Sequence, residues 1–179
     1  FAEVDAEAAK IPQGSDGATW LPYLLGERIP HLDPHARAAF VGLTASHTTA
    51  HLARAVMEGV AFSLRDSFEI FRELGAPIDS IRLGGGGATS RLWRQIQADA
   101  FGQSVETITA DEGAAFGAAI LAGVGYGAWA SVDEACDAAI KVADRTKPDP
   151  DAVAALDRNY EAYKLLYGAL RPAMNFLNQ

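Results

Sequence analysis

The chain has 179 residues, of which 49% are apolar and 21% charged, and its formal net charge is −8. That length can form one domain with a real core or a piece of a larger one, and the composition is that of an ordinary globular protein. The acidic balance excludes a nucleic-acid surface, because neutralising a polyanion needs clustered Lys and Arg, and Lys10, Lys141, Lys147 and Lys164 are scattered. A small phosphorylated ligand is not excluded, since backbone N–H groups can hold it. Cys136 is the sole cysteine, so there is neither an internal disulfide nor a CxxC metal knuckle. This fits a reducing, cytoplasmic setting. No apolar run approaches the ~20 residues that span a bilayer, so no membrane partner is expected. The opening FAEVDAEAAK reads as a charged helix end rather than a signal peptide. The start at Phe1 instead of Met suggests a longer polypeptide that was cut or trimmed.

Residues 3–11 read as the tail of a helix closed by Pro12 and the turn QGSDG. Thr19–Leu25 is an apolar strand in which Pro22 favours an edge or bulge. Residues 26–37 form a proline-bearing loop, and Ala38–Leu43 a second short strand. The strongest helix is 48–74, where Leu52, Val56, Val60, Leu64, Phe68 and Phe71 recur at helical spacing. Ser46, Thr48 or Thr49 can cap it, and Gly75 and Pro77 stop it. At ~1.5 Å per residue it is long enough to lie across a whole sheet. Ser80–Leu83 is a strand, 90–101 a helix capped by Thr89 or Ser90, and Val105–Thr109 a strand. Residues 112–124 form a helix rich in small side chains. Further helices fit 131–143, capped by Ser131, and 150–168, with a short helical tail after Arg171–Pro172. Alternating strands and helices imply an α/β domain with a mainly parallel sheet.

The most informative local feature is the run Gly84-Gly85-Gly86-Gly87, entered from a strand and left by a helix. Glycine permits positive φ and lets a ligand lie flat on the backbone, while the outgoing helix presents unpaired N–H groups. The run is neither a dinucleotide fingerprint, since Thr89 holds the third glycine position, nor a Walker A loop, since no GK[ST] follows. A nucleotide cradle and a plain tight turn both fit it. The helix Gly113–Gly123 likewise fits dense packing on its own sheet or close contact with a second helix across a hinge. His31/His35 and His47/His51 are each four apart, but a metal site needs three or four ligands and HExxH is absent, so no metal site is expected. Glu27–Arg28 and Asp33 with Arg37 fit loop ion pairs. Glu58, mid-helix among apolar residues, is placed to bond to a neighbouring loop. No GxSxG elbow occurs, and no Asp or Glu can be given the role of a catalytic base, so no catalytic residue is assigned.

Several stretches together resemble carbohydrate kinases of the FGGY type. Ala38-x-Phe40-x-Gly42-Leu43, seven residues, then His51-Leu52-x-x-Ala55-Val56-Met57-Glu58 matches the second family signature. LGGGGATSRLWRQIQADAFGQSV is similar to the adenosine motif and the helix after it, and EGAAFGAAILAG to the late connecting helix. LPYLLGERIPHLDPHAR most resembles the form found in members acting on D-xylulose, with those acting on gluconate next. The resemblance implies the C-terminal part of the second actin-like ATPase (ribonuclease H-like) domain, a mixed sheet flanked by helices, over residues 1–179. It implies that Gly85, Gly86, Gly87 and Ala88 line an adenosine, with Ser90 and Arg91 near the base or ribose. It implies ATP, with Mg2+ held through the ATP phosphates, and a pentulose such as D-xylulose as partner. The catalytic aspartate, most sugar contacts and the first phosphate loop would then belong to an N-terminal domain absent from this chain. Two rivals remain: a non-catalytic nucleotide-binding half, and an oligomerisation module in which acidic helices within 131–168 make homodimer contacts.

Overall fold

A computed structural model describes residues 2–109 and 113–177. Helix α1 (Ala2–Ala8) leads through a 3-10 turn at Ser15–Gly17 into β1 (Thr19–Leu21), which pairs antiparallel with β2 (Ala39–Val41), Trp20 opposite Phe40. The strand expected over Thr19–Leu25 ends at Leu21, because Pro22 has no amide to continue the ladder. The loop between the two strands is pinched where Glu27 and Asp33 exchange backbone hydrogen bonds of 2.9 and 2.8 Å.

Helix α2 (Thr49–Glu73) begins at Thr48, whose amide donates to His51 Nδ1 at 3.1 Å. Its buried stripe is not the one that apolar spacing predicts. Arg54, Ala55, Glu58, Gly59, Ala61, Phe62 and Asp66 are buried, whereas Leu64 and Phe71 are 43% and 49% exposed. The reason is close approach: at Gly59 a Cβ would stand 2.1 Å from the Trp20 carbonyl oxygen, so β1 lies directly on the small-residue face. Nor does α2 cross a whole sheet. Its main neighbours are β1 and α3 (Arg91–Phe101), and α3 in turn packs on the main sheet.

That sheet has three strands in the order β3 (Ile81–Leu83), β4 (Val105–Ile108), β5 (Val142–Thr146). The pair β3–β4 is parallel, with α3 as the crossover, and β5 joins β4 antiparallel. The sheet is therefore mixed, not mainly parallel. The helix expected over 131–143 is α5 (Val132–Ala139) alone. The residues after it turn extended because β4 offers an open edge. Arg145 on β5 also pairs with Glu106 on β4. Helix α4 (Gly113–Tyr126) packs on α5. Its expected first residue, Glu112, lies outside the described residues.

Helix α6 (Pro150–Leu177) runs through Pro172 without a break, so the expected separate tail is its last turns. Proline removes one internal helical bond, and packing outweighs that loss here. Leu156, Tyr160, Tyr163, Tyr167 and Met174 recur every three or four residues or a multiple and form its buried face. They close a single core with Leu21, Phe62, Ile81, Ile96, Phe101 and Val105. The acidic C-terminal helices considered for dimer contacts thus include one whose apolar face is spent within the domain.

Candidate nucleotide site

The glycine run lies between β3 and α3, at the carboxyl end of a parallel strand, where α/β sheets tend to bind ligands. Gly85 has φ +74°, which favours glycine. The chain then makes a 3-10 turn over Gly86–Thr89, with Ala88 N donating to Gly85 O at 3.0 Å and Thr89 Oγ1 to Gly86 O at 2.7 Å. Ser90 caps α3, its Oγ accepting from Trp93 N at 3.0 Å. Of the two expected caps, Ser90 is the one used.

Nothing among the described residues requires Gly84 or Gly86 to be glycine. Neither has positive φ, and a Cβ on either meets no atom within 4 Å. The missing side chains leave open space over the turn, which is what a flat ligand against the backbone needs. At Gly87 a Cβ would stand 3.3 Å from the Trp93 ring, so that glycine also serves packing.

The turn separates two cavities. The larger, about 650 Å³, is lined by Gly86, Gly87, Thr89 and Ser90 with Ala2 and Asp5 of α1. The smaller, about 410 Å³, has Gly84, Gly85, Gly86, Ala88 and Arg94 among its lining residues. The structure thus brings together Gly85, Gly86, Gly87, Ala88 and Ser90, while Arg91 is exposed and lines neither cavity. Two residues that motif reading missed complete the site. Asp5 accepts from Ser90 Oγ at 2.7 Å across 85 positions of sequence. Arg94 donates to Ala88 O at 3.1 Å and to Asp144 on β5 at 3.1 Å, tying the turn to the sheet edge. Arg94 sits one helical turn from Ser90 and was legible as a helix-face neighbour; Asp5 left no signal in sequence.

Most of the other singled-out residues have structural partners, though no ion pair joins Glu27 to Arg28. Glu58 accepts from Gly14 N and Ser15 Oγ, both at 3.0 Å, so it bonds to a neighbouring loop as expected. Burial pushes its carboxyl up, and Arg54 at 2.8 Å opposes the rise. Asp33 does not pair with Arg37, which donates to the Pro34 and Ala36 carbonyls. Its partners are the Tyr167 hydroxyl at 2.7 Å, the His35 amide and, at 3.7 Å, Arg171; the first two chiefly hold its carboxyl below the usual range. Glu27 likewise serves the loop backbone, accepting from His31 N at 3.1 Å. His31 stacks on Tyr167 with ring centres 3.7 Å apart, and His51 pairs with Asp16 at 3.1 Å. Among the described residues no group of three or more His, Cys, Asp or Glu could hold a metal. On α4, Gly123 packs against Trp129 of the same chain, so one close approach on that helix is internal.

The model of the FGGY family of carbohydrate kinases, C-terminal domain, matches residues 1–126. The chain belongs to this family. It is 40% identical over 167 residues to a xylulose kinase of Staphylococcus epidermidis, covering 93% of this chain and 34% of that protein. The crystal structure of xylulose kinase from Rhodospirillum rubrum matches with TM-score 0.85 and 35% identity, over 97% of this chain and 35% of that one. Gluconate kinase from Lactobacillus acidophilus matches with TM-score 0.88 and 29% identity, over 98% and 36%. The chain therefore spans about a third of the length of these FGGY relatives. Its fold is that of the actin-like ATPase domain of these kinases, with the mixed sheet and flanking helices described above.

Proposed function

We propose that the polypeptide carrying this chain is an ATP-dependent kinase converting D-xylulose to D-xylulose 5-phosphate in the cytoplasm, and that this chain holds the adenosine side of ATP. The observation that carries the reading is the open glycine turn, where Gly84 and Gly86 leave space that no described residue fills. The larger cavity beside it has room for a nucleoside. Gly85, Gly86, Gly87 and Ala88 offer backbone against which the adenosine lies, with Ser90 and Arg91 at its base or ribose end. Bound ATP supplies the phosphoryl group, and Mg2+ travels on its phosphates. The chain's own contribution is positioning, a large part of catalysis in phosphoryl transfer. The base that deprotonates the sugar and most sugar contacts belong to the rest of the polypeptide.

A coupled assay of the complete polypeptide with xylulose, ribulose, gluconate and glycerol tests the reading, and turnover of none of them removes it. Preference for gluconate would select the second reading, which the gluconate kinase match favours. Gly86→Val in the same polypeptide fills the open space and should raise the KM for ATP roughly tenfold, ~1.4 kcal/mol of lost binding. An unchanged KM removes the assignment of the turn. The chain's length relative to its relatives supports one further expectation: residues 1–179 alone give no turnover.

A further inference from the structure

We propose that Asp5 is a specificity-determining residue that accepts a hydrogen bond from a ribose hydroxyl of the nucleotide; this rests on the nucleotide reading of the glycine turn. Among the described residues, Asp5 is the only charged one lining the larger cavity. No described Lys or Arg lines that cavity, so it suits the neutral nucleoside and not the phosphates. An ionised carboxylate only accepts hydrogen bonds, and it repels phosphate oxygens. The donors on a nucleoside are the ribose hydroxyls and the amino group of the base.

The geometry favours the ribose. One carboxylate oxygen, Oδ1, is held by the Ser90 hydroxyl at 2.7 Å, which fixes the group at the α3 N-cap beside the turn. Oδ2 takes no hydrogen bond from any described residue, and Asp5 is half-buried on the cavity wall. The open backbone of Gly86, and Gly87 after it, suits a planar base. A carboxylate at the edge of such a surface is the arrangement that holds ribose hydroxyls in dinucleotide-binding folds. A site built to take a hydroxyl discriminates against the analogue lacking it, because its acceptor is then left dry and unpaired.

Calorimetry on the complete polypeptide decides this, using ATP, 2′-deoxy-ATP, 3′-deoxy-ATP and inosine triphosphate as probes. Wild type should bind at least one deoxy analogue roughly tenfold more weakly than ATP, the worth of one charged hydrogen bond. Asp5→Ala should bind ATP and that analogue alike, and Glu3→Gln, removing a neighbouring charge on α1, should keep the discrimination. Asp5→Asn keeps an acceptor for Ser90 but puts an amide NH2 in place of one carboxylate oxygen, so it should also lose discrimination if Asp5→Ala does not fold. Equal wild-type affinity for ATP and both deoxy analogues overturns the proposal. So does an equal weakening of ATP and deoxy-ATP in Asp5→Ala, the result expected of a residue that only ties α1 to Ser90. Selective loss of inosine triphosphate discrimination in Asp5→Ala would instead assign Asp5 to the base and overturn the ribose contact. Absence of any ATP binding by wild type overturns both this and the nucleotide reading, whereas ATP binding blind to the ribose hydroxyls overturns this one alone.

Discussion

Glu58 is 2% exposed and Arg54 is 4% exposed, yet both are charged groups in the interior of the domain. The pair persists because its charges find further partners: Glu58 takes Gly14 N and Ser15 Oγ, and Arg54 Nη1 donates to Ile11 O at 3.0 Å. Removing one partner of such a pair strands the other charge away from water. Glu58→Ala should therefore cost about 3–5 kcal/mol in chemical denaturation; a loss below ~1 kcal/mol would mean that water reaches Arg54. The sequence made Glu58 conspicuous, as a carboxylate between Met57 and Gly59 in an apolar helix. It did not reveal that Arg54, four residues earlier, shares its fate, because an i, i+4 pair reads equally well as a surface bridge. Asp5 was less legible still. A carboxylate in an acidic helix end has no signature until the fold sets it beside Ser90.

At the scale of elements, α2 and α6 are joined by polar contacts inside an otherwise apolar seam. The Tyr160 hydroxyl donates to Asp66 Oδ1 and Arg65 Nη1 to Asp157 Oδ1, both at 2.6 Å, while Tyr163 of α6 meets the Tyr23 hydroxyl of the loop after β1 at 3.2 Å. Burial pushes the Asp66 carboxyl up to about 6, with the Tyr160 bond opposing the rise. A carboxyl raised in the folded state binds its proton more tightly there than in the unfolded chain. Its contribution to stability is then complete below the ordinary value of 3.8 and is lost as pH rises through about 6. The shift corresponds to about 2–3 kcal/mol. Asp66→Asn, which keeps an acceptor for Tyr160, should flatten the stability profile between pH 4 and 7.5, seen as a smaller change in urea midpoint than wild type. An identical pH dependence in the variant would show that Asp66 does not titrate in that window. The element order was legible from periodicity because α2, α3 and the glycine turn carry strong local signals. Strand β5 was not legible. Four of its five residues are exposed, so no alternation marks it, and only the edge of β4 makes it a strand. The buried face of α2 was misread for a related reason: close packing on β1 requires Gly59, and a glycine carries less weight in an apolar count than Leu64 or Phe71.

At the scale of the whole molecule, apolar surface is left open. On α4 only Ile120 is buried, while Leu121 and Tyr126 are 60% and 91% exposed. The loop after β1 carries Leu24, Leu25 and Leu32 at 68%, 98% and 78%. Patches of this kind mark surfaces that other protein covers, and the FGGY relatives are about three times the length of this chain. Residues 1–179 alone should therefore bind a hydrophobic dye such as ANS and self-associate at high concentration, and the complete polypeptide should do so much less. Equal dye binding by both would mean that these patches stay open in the parent. The overall class, an actin-like domain part, was legible because several motifs stood in register. What the open faces meet was not legible, since an exposed leucine and a buried one are the same letter.

The tyrosine face of α6 also bears on the order in which the protein is made. The Tyr23–Tyr163 and Asp33–Tyr167 contacts join residues 140 and 134 positions apart. The loop that follows β1 is translated early, but its buried partners leave the ribosome only with the last helix. Contacts of such separation form late, after the local helices. A nascent chain halted after α5 would present Tyr23 and Phe62 without the side chains that cover them. The early half of the domain would thus lack this cover until α6 is made.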